Sequence, residues 1–275
     1  MTRRVSIRSA VTLLAIILCF AITNSVITSS VYAQQPQYSF IKKWGSNGIG
    51  FGEFSQPIEI AIDSAGNVYV TDFTSVSNKV QKFTSNGTFI TSWGSTGLGD
   101  GQFINPAGMA VDSSGNVYVG DFGENNRVQK FDSNGNFITN WGTPGTGDGQ
   151  FITPADITVD STGNVYVADG GNNRVQKFDS NGNFITKWGT PGTGDGQFAS
   201  PAGITVDSSD NLYVTDTGND NIQKFDSNGN FITKWGSSGS NDGQFLDPLG
   251  IAVDSTGNVY VVDSGNSRIQ VFAPS

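Results

Sequence analysis

Acidic side chains are the residues of this sequence whose types and spacing can carry chemistry. The 275 residues include 24 Asp and Glu, one Cys and no His. Without His, the commonest general base and a principal zinc ligand are missing. Ser-His-Asp and Cys-His catalysis and His-ligated metal sites are therefore excluded. The carboxylates recur in sets. Asp72, Asp121, Asp169, Asp216 and Asp263 each end a Val-Tyr-Val-like run. They read as a ring of cation or sugar ligands, or as structural acids paired with backbone amides and with Lys79, Arg127, Arg174 and Arg268. Their repetition in every copy favours the structural role. Asn221 replaces the basic residue in the fourth copy, which leaves Asp216 without that ionic partner. Asp100, Asp148, Asp195 and Asp242 lie in Asp-Gly-Gln-Phe connectors, where Asp-Gly is ordinary turn chemistry. The first connector reads Gly-Phe-Gly-Glu-Phe instead. Asp132, Asp179 and Asp226 open Asp-Ser-Asn-Gly-Asn turns that resemble a calcium loop but lack its later Glu. Glu59 and Asp156 break the repeat, standing where other copies have Gly108, Gly203 and Gly250. The scaffold does not require them, so they are the weak candidates for a metal site. A hard cation such as Ca²⁺ wants six to eight oxygens.

The elements that must position these acids are visible as a repeat. Trp-Gly recurs at Trp44, Trp93, Trp141, Trp188 and Trp235, at spacings of 47–49 residues. The copy from Pro154 to Gly189 contains four short apolar runs separated by Gly- and Asn-rich turns. Strand A is Ile157–Asp160, B is Val165–Asp169, C is Arg174–Phe178 and D is Phe184–Trp188. Val, Ile, Tyr and Phe suit half-buried strands, and Asn-Gly suits tight hairpins. Four strands in such a period predict an all-β fold, a β-propeller of four-stranded blades. Residues 38–44 match strand D alone, and the last copy contains strands A to C. The reading is five blades, with the N-terminal strand completing the last and removing open edges. The alternative is six blades or an incomplete ring. The connector Phe residues (Phe54, Phe103, Phe151, Phe198 and Phe245) are expected between blades.

The pattern P-x-G-I-x-V-D-x-x-G-N-x-Y-V-x-D, followed by N-x-R-[IV]-Q-x-F, resembles the NHL repeat over about residues 38–272. The resemblance implies a propeller, commonly six-bladed. It also implies a strand-A-lined channel, with A–B and C–D turns on one face and B–C and D–A connections on the other. Glu59 and Asp156 then fall at the channel mouth, where two solvated acids are the plainer reading. The second face has the longer and more variable loops, so it is the candidate binding face. Similar propellers include lactone hydrolases with a metal held by acids and Asn, and lyases with His ligands. The missing His counts against the lyases.

Residues 1–33 read as a secretory signal peptide: Arg3, Arg4 and Arg8, an apolar run from Ala10 to Ile22, and small Ala33 at the cleavage point. The apolar run is shorter than the ~20 residues a bilayer span takes; an uncleaved anchor is the alternative. Residues 34–37 form a short leader and 38–275 the propeller. Cleavage removes three Arg and the single Cys, taking the net charge from −9 to −12. That sign excludes nucleic acid and anionic membrane surfaces as natural partners. The expectation is a secreted, non-catalytic scaffold for a protein or polar glycan, with no cofactor. The alternative is a Ca²⁺-dependent, lactonase-like hydrolase. The sequence leaves the oligomeric state open.

Overall fold

A computed structural model describes residues 40–74 and 77–274. The signal-peptide assignment, the leader and the start of the predicted N-terminal strand lie outside them. Two units separate at Lys43/Trp44, and the blades all belong to the second.

Blade 1 comprises β1 (Pro57–Ile62), β2 (Val68–Asp72), β3 (Lys79–Phe83) and β4 (Phe89–Trp93). Blade 2 comprises β5 (Asn105–Val111), β6 (Val117–Phe122), β7 (Arg127–Phe131) and β8 (Phe137–Trp141). Blade 3 comprises β9 (Pro154–Val159), β10 (Val165–Asp169), β11 (Arg174–Phe178) and β12 (Phe184–Trp188). Blade 4 comprises β13 (Pro201–Val206), β14 (Leu212–Asp216), β15 (Asn221–Phe225) and β16 (Phe231–Trp235). Blade 5 comprises β17 (Pro248–Val253), β18 (Val259–Asp263) and β19 (Arg268–Phe272). Each sheet is an antiparallel meander in sequence order, so the protein is an all-β, five-bladed β-propeller. Predicted strands B, C and D of the third copy match β10, β11 and β12 to the residue. Strand A starts three residues earlier, at Pro154, and Asp160 lies just past it.

One part of the expectation differs. Blade 5 has three strands, and described residues 40–44 lie in no strand. Trp44 lies against blade 1. A Cβ on Gly87 would sit 2.7 Å from its indole, and its ring centroid is 6.2 Å from that of Phe83.

Adjacent A strands touch, β1 to β5, β5 to β9, β9 to β13 and β13 to β17, which places them innermost. Blades stack in one direction. The front of blade 2 offers Tyr118, Val128 and Trp141 to Phe151, Ile157, Val165, Val167 and Phe178 on the back of blade 3. The same sets join blades 1 and 2, 3 and 4, and 4 and 5. The connector Phe residues at 103, 151, 198 and 245 are fully buried in these joints, as expected. Trp93, Trp141 and Trp188 each lock over the next blade's C–D turn. At Gly182 a Cβ would lie 2.5 Å from the Trp141 ring, so the turn is restricted to Gly, which also supplies φ +85°. The back of blade 1 has a smaller cluster of Val68, Val70 and Phe83 with half-buried Phe54 and Phe89. No described helix is long and apolar enough to cross a membrane.

Candidate functional site

The acids at the ends of the B strands are placed inside the blades. All five side chains are fully buried. In blade 3, Asp169 Oδ1 accepts the Ile152 N–H at 2.8 Å. Its Oδ2 accepts from Asn172 Nδ2 at 2.8 Å, Arg174 Nε at 2.8 Å and Gln176 Nε2 at 3.1 Å. Arg174 then donates to the carbonyls of Thr146, Gly147 and Gln150 in the incoming connector. Asp121, Asp169, Asp216 and Asp263 thus each clasp the D–A connector to the B–C loop. Asp263 pairs with Arg268 at 2.7 Å and Asp121 with Arg127 at 3.5 Å. Asp216 accepts from Ala199 N–H, Asn219 and Gln223. No ion pair to it is found among the described residues, consistent with Asn221 in place of Arg. Burial raises the carboxyl pKa of Asp121 and Asp216 above the ordinary Asp value, against the hydrogen bonds that lower it. In blade 1, Asp72 Oδ1 accepts from Ser55 and Gln56 N–H. Lys79 instead donates to the Ile49 and Gly50 carbonyls, both at 2.8 Å.

The remaining repeated acids are also committed locally. Asp179 Oδ1 accepts the N–H of Asn181 and Asn183, and Oδ2 accepts Asn183 Nδ2 at 2.7 Å. These bonds, the Asn183 side chain foremost, hold its pKa below the usual range. The hairpin therefore uses the oxygens that a calcium loop would need. Connector Asp148 and Asp195 pair with Lys187 at 2.5 Å and Lys234 at 2.8 Å on exposed outer strands. The C-strand glutamines escaped the reading by chemistry. Gln176 accepts the Gly149 N–H and donates to the Gln150 carbonyl. Gln81, Gln129, Gln223 and Gln270 repeat this stitch. The available signal was an amide at the same place in all five copies.

Glu59 and Asp156 stand apart. Asp156 Oδ1 accepts the N–H of Ile157 at 2.8 Å, and Oδ2 accepts the N–H of Ile204 at 2.9 Å. It thus bridges inner strands β9 and β13. The space it occupies belongs to Gly108, where any Cβ would collide with Asp156 Cα. Inner positions consequently alternate, Glu59, Gly108, Asp156, Gly203, and the missing side chain at Gly108 makes room for Asp156. Asp156 keeps part of its surface on the channel, yet the surrounding strands leave little water to solvate a charge. Desolvation first, and the negative Glu59 second, push its pKa up to about 7. Burial raises Glu59 as well, against a hydrogen bond from Ile60 N–H to its Oε1. The two carboxyls share one electrostatic environment.

This donor set does not fit calcium. Three of the four oxygens already accept backbone N–H groups, and no cluster of three Asp, Glu, Cys or His suited to a metal occurs among the described residues. What the pair can do is hold a proton near neutral pH. The folded pKa of Asp156 lies above its ordinary value, so folding favours the protonated form, and its contribution to stability declines as pH rises from about 4 to about 7. Glu59→Gln removes the neighbouring charge. We expect it to match the native protein's melting temperature near pH 4 and to exceed it increasingly by pH 8. Thermal melts across that range check this; a pH-independent difference would show the two carboxyls to be uncoupled.

The profile of the NHL repeat matches residues 103–131, 151–178, 198–225 and 245–272. Those segments coincide with connector Phe to strand C of blades 2 to 5. The chain belongs to the NHL-repeat β-propellers. Blade 1 has the same strand order, with Glu59 in place of the strand-A Gly and Lys79 in place of the Arg. No curated protein matches the NHL-repeat chain, but solved structures share its fold. A catalytically inactive His-to-Ala variant of Staphylococcus aureus virginiamycin B lyase with quinupristin is 19% identical. It has a TM-score of 0.60 over 81% of this chain and 72% of that one. A streptogramin B lyase is 17% identical, with a TM-score of 0.56 over 81% and 84%. A nidogen/laminin complex yields a chain 18% identical, with a TM-score of 0.54 over 79% and 80%. At these identities the likeness is one of fold.

Proposed function

We propose that this NHL-repeat propeller is an extracytoplasmic, non-catalytic module that binds a protein partner through its D–A/B–C loop face. Residues 1–33, which read as a signal peptide, support the location. One observation carries the binding face. The connectors of blades 1 and 2 present Ile49, Phe51 and Leu98, at 60%, 79% and 57% exposure. Equivalent positions in later connectors hold Thr146, Thr193 and Ser240, or Asp148, Asp195 and Asp242. The connector fold needs no apolar side chain at these places, since three copies form it without one. Exposed apolar groups on a rigid polar rim are the material of a protein contact. A neighbour of this fold occurs in a nidogen/laminin complex, which agrees with such a use.

The lyase likeness supports catalysis less. The S. aureus lyase is inactive with one His replaced, and this chain has no His. A second reading rests on Asp156, whose pKa near neutrality suits general acid or base work beside Glu59. Cross-linking in the organism's secreted fraction, comparing the native protein with the Ile49→Asp/Phe51→Asp/Leu98→Asp variant, separates the two. A defined protein cross-linked by the first and lost with the second, at equal melting temperature, is the expected result. Unchanged capture, glycan binding alone, or lactone turnover abolished by Glu59→Gln would overturn the protein-binding reading.

A further inference from the structure

The C–D turns of blades 2, 3 and 4 read Asp-Ser-Asn-Gly-Asn, at residues 132–136, 179–183 and 226–230. Blade 1 departs from this at both ends of the turn and reads Thr84-Ser85-Asn86-Gly87-Thr88. In the three later copies the closing Asn donates its Nδ2 to the opening Asp at 2.7 Å. That Asp also accepts the closing N–H on Oδ1 at 2.8–2.9 Å. Blade 1 keeps only the second of these bonds, from Thr88 N–H to Thr84 Oγ1 at 3.1 Å. The backbone is nevertheless the same. Thr84 N–H donates to the Thr88 carbonyl at 2.9 Å and Gly87 N–H to the Thr84 carbonyl at 2.8 Å. The matching bonds of the blade 3 turn are 2.9 and 3.0 Å. Gly87 has φ +79°, against +85° to +87° at Gly135, Gly182 and Gly229. The hairpin is thus built on the backbone of Thr88, and the Thr88 hydroxyl makes no hydrogen bond among the described residues.

The two replacements create Asn86-Gly87-Thr88, an Asn-x-Thr acceptor for an N-linked glycan. No other Asn in the sequence is followed two residues later by Ser or Thr. The later turns carry Asn at that place, so the acceptor exists only where the repeat is broken. Asn86 and Thr88 are both exposed. Asn134, Asn181 and Asn228 are exposed in the later blades too, so the exposure belongs to the turn itself. In an antiparallel meander the C–D turn lies at the opposite strand ends from the B–C loop and the D–A connector. Asn86 therefore stands on the face away from Ile49, Phe51 and Leu98.

We propose that Asn86 is the attachment point of an N-linked glycan. The inference rests on the extracytoplasmic location proposed above, where such acceptors are used. The co-reactant is a glycan carried on a lipid phosphate, brought to the turn by a transferase. Asn86 Nδ2 forms a bond to the anomeric carbon of the first sugar. The bond from that carbon to the phosphate oxygen breaks, and the lipid phosphate leaves with the electron pair. Nδ2 gives one of its two protons to a base of the transferase. Thr88 supplies the hydroxyl that completes the acceptor, and the hairpin has no competing use for it. A bulky, solvated glycan here shields the A–B/C–D face and leaves the opposite loop face open to a protein partner.

Mass spectrometry on the protein made in its own organism, after cell fractionation, tests this. The expected result is a chain outside the cytoplasm whose peptide spanning Asn86 carries added sugar mass. Thr88→Ser should keep that mass. Asn86→Gln and Thr88→Asn should each abolish it. Thr84→Asp/Thr88→Asn, which gives blade 1 the turn of blades 2 to 4, should abolish it with no fall in melting temperature. An unmodified Asn86 in a chain found outside the cytoplasm overturns this proposal alone. So does the bare mass of Asp at that position, which is deamidation, or sugar mass that persists in Thr88→Asn. A chain confined to the cytoplasm with Asn86 unmodified overturns both this proposal and the location it rests on.

Discussion

Replacing Asp169 with Ala should destabilise the protein by about 3–5 kcal/mol, the cost of breaking a buried charge pair. The carboxylate receives one backbone and three side-chain hydrogen bonds. Its loss leaves the buried Arg174 guanidinium without a counter-charge, and leaves Ile152 N–H without its acceptor. The equivalent Asp216→Ala removes three neutral donors' acceptor and strands no cation, because residue 221 is Asn. We expect that change to cost about 1–3 kcal/mol. Urea unfolding of both variants gives the comparison. Equal losses would show that Arg174, held by three carbonyls, is indifferent to Asp169. The comparison also bears on the ring-of-ligands reading, since a residue kept for a ligand would weaken ligand binding without this ordering of stabilities.

Trp141→Ala should have a comparable effect, about 3–5 kcal/mol, as a large side chain leaves a packed joint. The indole lies between blades 2 and 3, edge-on to Tyr118 at 6.2 Å and tilted against Phe178 at 5.8 Å. It also covers the Gly182 turn. Its Nε1 is buried with no hydrogen-bond partner, so the ring acts through shape and area. Trp141→Phe should therefore lose far less, because the N–H it deletes makes no bond. Guanidinium unfolding monitored by Tyr and Trp fluorescence distinguishes the pair. A Phe variant as damaged as the Ala variant would point to an unseen partner for the indole.

The blades could be read from sequence because the chain writes the same strand order five times. Val165–Asp169 and Phe184–Trp188 had their bounds set by turns that tolerate few alternatives. The acids were harder. A carboxylate after a strand looks the same whether it meets a cation or an amide, and only the folded connector shows that Ile152 N–H and Asn172 reach Asp169. Glu59 and Asp156 stood out by breaking the repeat. Their coupling did not, since it depends on two inner strands separated by a whole blade. The pairing of residues 40–44 was expected from their likeness to strand D. Strand likeness says what edge a segment fits, and the described residues of that segment, 40–44, lie in no strand.

The one-way stacking has a consequence for how such a gene can change. Every joint links the front of one copy to the back of the next, and the copies share nearly one sequence. Recombination between any two of them, in frame, deletes or adds a whole blade and yet leaves each remaining joint with its proper halves. Blade number can then vary in a single genetic event while the fold of each blade is untouched. The exceptions, Glu59, Asp156, Asn221 and the apolar connector tips, are the marks by which one copy can still be told from another.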